Sequence, residues 1–350
     1  DYDKDLLDRC ATACQEVIDL AISLKGTQPD GMPEMNEYGL TDLADLRTVF
    51  ATTDQLMPGT TEVLFRAPVD RYGKDIVTRP KARVYGYKQI TDQAAANGSQ
   101  QYLDKFEMSN GSRYKIEYDQ DPSKRWIDRD QRFKFTFYVH NDPVDDIICD
   151  FSASALVKYG AFNSNCIRKF YPDNVTKNNT RDATYSTPLL RLSDIYLSYA
   201  EAVFESTGSY NTVPSGLKLS AEEAVNIVRA RVGQPDVTNA LPSYESNPLP
   251  GSCELASDPA FRLLYRNERA VELAYEGVYW HDIRRWKRAH LKDGVQLQAM
   301  KFDIDAGNVI DNTVIRSNVT PFAFKDANYW MPFSDDLTRF TSDWEQNPGW

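Results

Sequence analysis

Across residues 188–290 apolar side chains recur at the three- and four-residue spacing of an amphipathic helix, segment after segment, and each segment carries its own start and stop signals. Thr187 as cap and Pro188 at the first helical position open one helix, whose face reads Leu189, Leu192, Tyr196, Tyr199, Ala200 and Val203 up to Gly208. Ser220 with Glu223 forms a capping box for the next, which closes at Gly233 with Pro235 beyond. After a proline-rich loop at 239–257, Asp258 as cap and Pro259 at the first position open a helix through Tyr275 to Gly277, and another runs from Val278 to about His290. Helices patterned this way bury their faces against one another, so the expected fold class is mainly α, with tetratricopeptide-like helical pairs. An additional helix starts near Leu6, with Leu7, Cys10, Ala13, Cys14, Val17, Ile18 and Ala21 on its apolar face and Gly26 as its stop.

Between 26 and 187 the helical period fades, apart from a short segment in which Leu43, Leu46, Val49 and Phe50 share a face. Tyr114, Ile116 and Tyr118 alternate with polar residues, and Phe133, Phe135, Phe137 and Val139 do so again, which predicts half-buried strands. Asn97-Gly98-Ser99, Asn110-Gly111-Ser112 and the polar run 172–187 read as turns. The expected organisation is a single domain over 1–350: a loop-rich insertion with short strands at 26–187, helical pairs at 188–290, and C-terminal loops at 291–350.

With 40 basic against 51 acidic residues the net charge is -11, the wrong sign for holding a phosphate backbone, so nucleic acid is not an expected partner. Tyrosine (20) outnumbers phenylalanine (16), favouring rings that pack on one side and meet water or ligand on the other. No apolar run is long enough to span a bilayer, and the opening Asp1-Tyr2-Asp3-Lys4 has neither a signal peptide's character nor an initiating Met, which reads as a piece of a longer chain. The five cysteines are odd in number and lack CxxC spacing, so neither a zinc knuckle nor a full disulfide framework is expected, and Cys10 and Cys14 read as packing residues on a buried helix face.

Glu268, Glu272 and Glu276 recur every fourth residue, a spacing that could serve acid/base chemistry but that destabilises a bare helix unless each carboxylate has a cationic partner. They read as a structural ion-pair network reaching Arg191 and Glu201. His140, His281 and His290 lack metal-ligand spacing; the run Asp303-Ile304-Asp305-Ala306-Gly307-Asn308 lacks the distal Glu of a calcium loop; Asp119, Asp121, Asp128 and Asp130 read as a solvated acidic loop. With no GxSxG, P-loop or GxGxxG present, neither an enzyme nor a bound cofactor is expected.

Several segments resemble, in order and spacing, the signatures of the SusD/RagB family. They are Leu190-Arg191-Leu192-Ser193-Asp194-Ile195-Tyr196-Leu197-Ser198-Tyr199-Ala200-Glu201-Ala202, then Asn226-Ile227-Val228-Arg229-Ala230-Arg231, then Glu268-Arg269-Ala270-Val271-Glu272-Leu273-Ala274-Tyr275-Glu276-Gly277 followed by Asp282-Ile283-Arg284-Arg285-Trp286. Arg168-Lys169-Phe170-Tyr171 upstream, and the closing Tyr329-Trp330-Met331-Pro332 and Gln346-Asn347-Pro348-Gly349-Trp350, extend the resemblance over most of the chain. It departs at Asp194, where the family often has Glu, and at Tyr279, where it has Arg or Lys; both read as structural positions. The resemblance implies a lipid-anchored protein on the outer membrane of Gram-negative bacteria that captures polysaccharide or oligosaccharide and sits as a lid on a TonB-dependent transporter. It also implies that signal peptide, lipidated cysteine and first helix pairs lie in an N-terminal segment preceding this chain. A peptide-capturing receptor of the same family is the alternative, and an intracellular helical scaffold a third reading.

A glycan receptor needs flat aromatic platforms for the C–H faces of sugars, flanked by groups that bond hydroxyls. Tyr114, Tyr118, Arg125, Trp126 and Asp128 supply that mixture and are the expected ligand-binding residues. Trp126 reads either as the leading platform or as a core or interface tryptophan.

Overall fold

The computed structural model describes residues 2–24, 33–52, 60, 62–66, 70–71, 96–144, 147–152, 163–171, 184–185, 188–245, 249, 252–292, 295–303, 315–334 and 345–350. Its helices in chain order are α1 (Lys4–Ser23), α2 (Leu43–Phe50), α3 (Gln100–Leu103), α4 (Pro122–Trp126), α5 (Gln131–Thr136), α6 (Leu192–Thr207), α7 (Ala221–Arg231), α8 (Val237–Ala240), α9 (Ala260–Glu272) and α10 (Val278–Arg285). The architecture is predominantly helical, with short strands. α1, α7 and α9 all pack on α6, and α9 meets α10. Leu192, Tyr196, Tyr199, Ala200 and Val203 of α6 are buried in one core with Ile18, Val225, Val228, Phe261, Leu264 and Ile283.

Local chemistry sets most of these ends. Ser220 accepts from Glu223 N at 3.1 Å while the Glu223 carboxylate accepts from Ser220 N at 2.6 Å, the reciprocal cap that starts α7. Gly208 closes α6 in the left-handed conformation that glycine adopts without strain. Two starts differ from the sequence expectation. Residues Pro188–Arg191 form a strand antiparallel to Val63–Arg66, and α6 begins only at Leu192; the first residue of a strand tolerates proline, and Thr187 lies outside the described residues. At α9 the cap is Pro259, because the Asp258 carboxylate is held by Arg262 and Arg288. α10 stops at Arg285, and Lys287 turns the chain with φ 51°.

The insertion departs further from its alternating pattern. Ile116–Gln120 is a 3-10 turn with Ile116 exposed, so the alternation there marks no buried face. Phe133 and Phe135 lie on α5, started by Asp130 accepting from Arg132 N at 2.8 Å, and only Phe137–Val139 is strand, paired with Asn165–Ile167. A cap at one end outweighs a weak strand period. Phe106, Phe133, Phe137 and Trp126 form a second, aromatic core here, and a ribbon of Gln296–Lys301 with Ile315–Pro321 flanks it.

Glu268 and Glu272 on α9, with Glu276 just beyond it, tie the segments that carry Arg132 and Lys169 to the helices. Glu268 bonds Arg132 at 2.5 Å and Arg229 at 2.9 Å; Glu272 meets Arg191 at 3.0 Å, Arg132 at 3.2 Å and also Arg231; Glu276 meets Arg191 and Lys169 at 2.7 Å each. Glu62 joins from the insertion, 2.5 Å from Arg191 and 2.9 Å from Arg231. Glu201 is tied instead to α10, through Arg285 at 2.5 Å and Trp286 Nε1 at 2.8 Å. Of the family departures, Asp194 bonds Arg269 at 2.8 Å and the Tyr279 hydroxyl donates to Ser252 O at 3.2 Å, both framework contacts.

On α1 only Cys14 is buried; Cys10 is exposed, because the face covered by α6 is narrower than the apolar stripe. Its hydrogen bond with Cys14 pulls the Cys10 pKa down to about 7. Iodoacetamide at neutral pH is expected to label Cys10 first and to leave buried Cys14, Cys149, Cys166 and Cys253 unmodified until denaturant is added, as read by peptide mass spectrometry. Equal labelling of Cys10 and Cys14 would contradict this placement.

Candidate functional site

The residues expected to bind ligand do come together, but in layers. Tyr114 is buried and donates its hydroxyl to Asp119 Oδ1 at 2.6 Å; burial and that carboxylate push its pKa up. Arg125 is buried, with Nε donating to Asp119 O at 2.5 Å and its guanidinium 4.9 Å from the Trp126 ring. Trp126 is 6% exposed and packs against Phe302 (5.5 Å between ring centres) and His140 (6.1 Å). It is a core tryptophan: Asp121 caps the N-terminus of α4, and the helix turns Arg125 and Trp126 inward. Tyr118 is half-buried, its ring 5.8 Å from Tyr114 and 5.0 Å from Lys124 Nζ, and Asp128 is exposed. The acidic loop is not uniformly solvated either, since Asp119 is held by Arg316 at 2.5 Å and buried Asp130 by Arg132 at 2.6 Å.

An aromatic surface exists elsewhere. α10 and the turn after it face the 3-10 turn Asp326–Tyr329 across a cleft of about 560 Å³ lined by His281, Arg284, Arg285, Lys287, Asp326, Tyr329 and Trp330. His281, Arg284 and Arg285 share one helix face by their three- and four-residue spacing. Arg284 donates Nη2 to the Tyr329 carbonyl, and its guanidinium lies 5.8 Å from the Trp280 ring centre. Tyr329 is fixed in turn by its hydroxyl, 2.7 Å from His290 Nδ1, and by edge contact with Phe324 at 5.0 Å. Trp350 Nε1 donates to Ala327 O at 2.9 Å and to Trp330 O at 3.1 Å, which anchors the backbone of the turn. Trp330 itself is 61% exposed.

The arrangement sets an open indole beside a guanidinium, an ammonium, an imidazole and a carboxylate, the combination that receives a ring with apolar faces and a polar rim. Both halves carry motifs singled out in the sequence, Arg284 and Arg285 in the 282–286 segment and Tyr329-Trp330 in the closing one, whereas His281 was set aside for lack of metal-ligand spacing. Nothing local joined them. Among the described residues no group of three or more His, Cys, Asp or Glu side chains converges as a metal site, and no helix is long and apolar enough to cross a membrane. Beyond Asp303 the calcium-like run 303–308 lies outside the described residues.

No curated protein matches the chain. Solved structures do. A SusD-like protein from Bacteroides fragilis shares 22% identity at a TM-score of 0.67 over 99% of this chain and 63% of its own. A SusD-like carbohydrate binding protein from Bacteroides fragilis shares 21% at 0.63 over 93% and 58%, and a SusD superfamily protein from Parabacteroides distasonis 14% at 0.51 over 99% and 58%. The chain thus spans 58–63% of these relatives' lengths, and the likeness establishes the shared fold. The SusD family signature matches residues 61–350, the greater part of the sequence, and the chain belongs to the SusD family.

Proposed function

We propose that this protein binds an oligosaccharide without cleaving it and delivers it to a TonB-dependent transporter, from a lipid-anchored position on the outer surface of the outer membrane. The helical framework, read as tetratricopeptide-like pairs, carries the docking face, and the cleft beside α10 takes the sugar. The observation that carries this reading is the exposed Trp330 ring set among hydrogen-bonding and charged groups in a formed cleft. Membership of the SusD family and the carbohydrate-binding description of a structural relative support it. Tyr118 and Asp128 offer a secondary contact, with Tyr114, Arg125 and Trp126 supporting them from beneath.

The test is a binding screen of the purified chain against polysaccharides and peptides, followed by chromatography of the bound glycan. At least one glycan is expected to bind and to be recovered at its original length. Binding confined to peptides would move the reading to a peptide receptor, and shortened chains would make the protein an enzyme. For the partner, the full-length protein is expected to co-purify from mildly solubilised outer membranes with a TonB-dependent transporter; repeated recovery alone would refute delivery.

A further inference from the structure

We propose that the cleft between α10 and the 326–329 turn selects an acidic oligosaccharide, one bearing uronate or sulfate groups. This rests on the glycan reading above and narrows its ligand class.

The charge of the cleft runs against that of the chain. The protein carries a net -11, yet three basic side chains, Arg284, Arg285 and Lys287, line this cleft against a single carboxylate, that of Asp326. Arg285 is already neutralised, with both Glu201 oxygens at 2.5 Å and Asp282 Oδ1 at 2.8 Å. Arg284 and Lys287 are not: among the described residues neither has a carboxylate at ion-pair distance. Among the described residues Arg284 donates to a neutral carbonyl, that of Tyr329, and its buried Nε has no acceptor. Asp326 is exposed and, among the described residues, likewise unpaired.

A ligand lying on Trp330 covers these groups. An uncharged sugar would take water from a guanidinium and an ammonium and return only hydroxyls. A carboxylate or sulfate ester returns charge-assisted bonds, from the Lys287 ammonium and from the guanidinium edge of Arg284 that Tyr329 leaves open. The Tyr329 carbonyl and the Trp280 ring hold Arg284 in place before the ligand arrives, which lowers the ordering cost of binding. Asp326 accepts from the same ligand's hydroxyls.

The test is calorimetry of the whole chain with length-matched probes: an oligogalacturonate, its methyl ester, a sulfated, uronate-free carrageenan oligosaccharide and a neutral cello-oligosaccharide. An acidic probe is expected to bind about tenfold or more tighter than the methyl ester and the neutral probe, with affinity that falls as salt is added. Lys287→Gln and Arg284→Gln, shown folded by circular dichroism, are each expected to reduce that preference several-fold. The first and third probes distinguish uronate from sulfate. Equal or tighter Trp330-dependent binding of the methyl ester or neutral probe would overturn acidic selection and leave the glycan reading intact. An acidic preference undiminished in both variants would overturn the site, and failure of every glycan, here and in the wider screen, would overturn both claims.

Discussion

Glu272→Ala is expected to cost about 3–5 kcal/mol of folding stability, because it leaves Arg191, Arg231 and Arg132 in the interior without their shared carboxylate. Glu268→Ala, which strips Arg132 and Arg229 of one partner each, is expected to cost about 3 kcal/mol. An exposed pair such as Lys4 with Asp8 would lose far less on the same treatment, because water screens it. Chemical denaturation monitored by circular dichroism checks all three, and an unchanged midpoint for Glu272→Ala would refute the account of how the insertion is fastened.

The pH dependence has a definite sign. Burial alone would raise the Glu272 pKa, but Arg231, Arg191 and Arg132 together hold it well below the ordinary 4.5. A carboxyl whose folded-state pKa lies below its unfolded-state value contributes its full stability above the unfolded value and loses it as pH falls through the folded one. The stability gap between the wild type and Glu272→Gln is therefore expected to be full near ~pH 7 and to narrow as pH drops below about 4.5. Glu107, whose pKa burial raises, acts in the opposite sense in both proteins and cancels from the difference.

How much of this was legible in the sequence depends on whether the deciding physics is local. The capping box at Ser220 and Glu223 and the terminal Gly208 are local, and both stand where the spacing predicts. The α9 glutamates were legible as a network from the repulsion they would otherwise suffer, although their partners Arg132, Arg229 and Arg231 come from segments no periodicity connects. Pro188 failed as a helix start because Val63–Arg66 pairs with its segment, a tertiary contact. Trp126 could be read two ways because an aromatic in a polar stretch looks alike whether it faces water or core; the cap at Asp121 and the neighbours Phe302 and His140 decided it. The cleft was not legible, since Arg284 and Tyr329 meet across 45 residues.

Trp126 and Trp330 are therefore expected to differ in what their loss costs. Trp126→Ala leaves a cavity in the aromatic core and should cost about 3–5 kcal/mol of stability. Trp330→Ala removes an exposed ring whose backbone is anchored independently by Trp350, so its stability should change by less than about 0.5 kcal/mol. Its effect falls on binding, where loss of a desolvated aromatic contact lowers affinity about tenfold or more.

The central claim is that the cleft beside α10 receives the glycan, and the most direct measurement is a calorimetric titration of Trp330→Ala and the conservatively repacked Trp126→Phe with the oligosaccharide that the wild type binds best. The account predicts that folded Trp330→Ala loses at least about tenfold in affinity while Trp126→Phe keeps the wild-type value. Wild-type affinity in Trp330→Ala together with lost affinity in folded Trp126→Phe would contradict it.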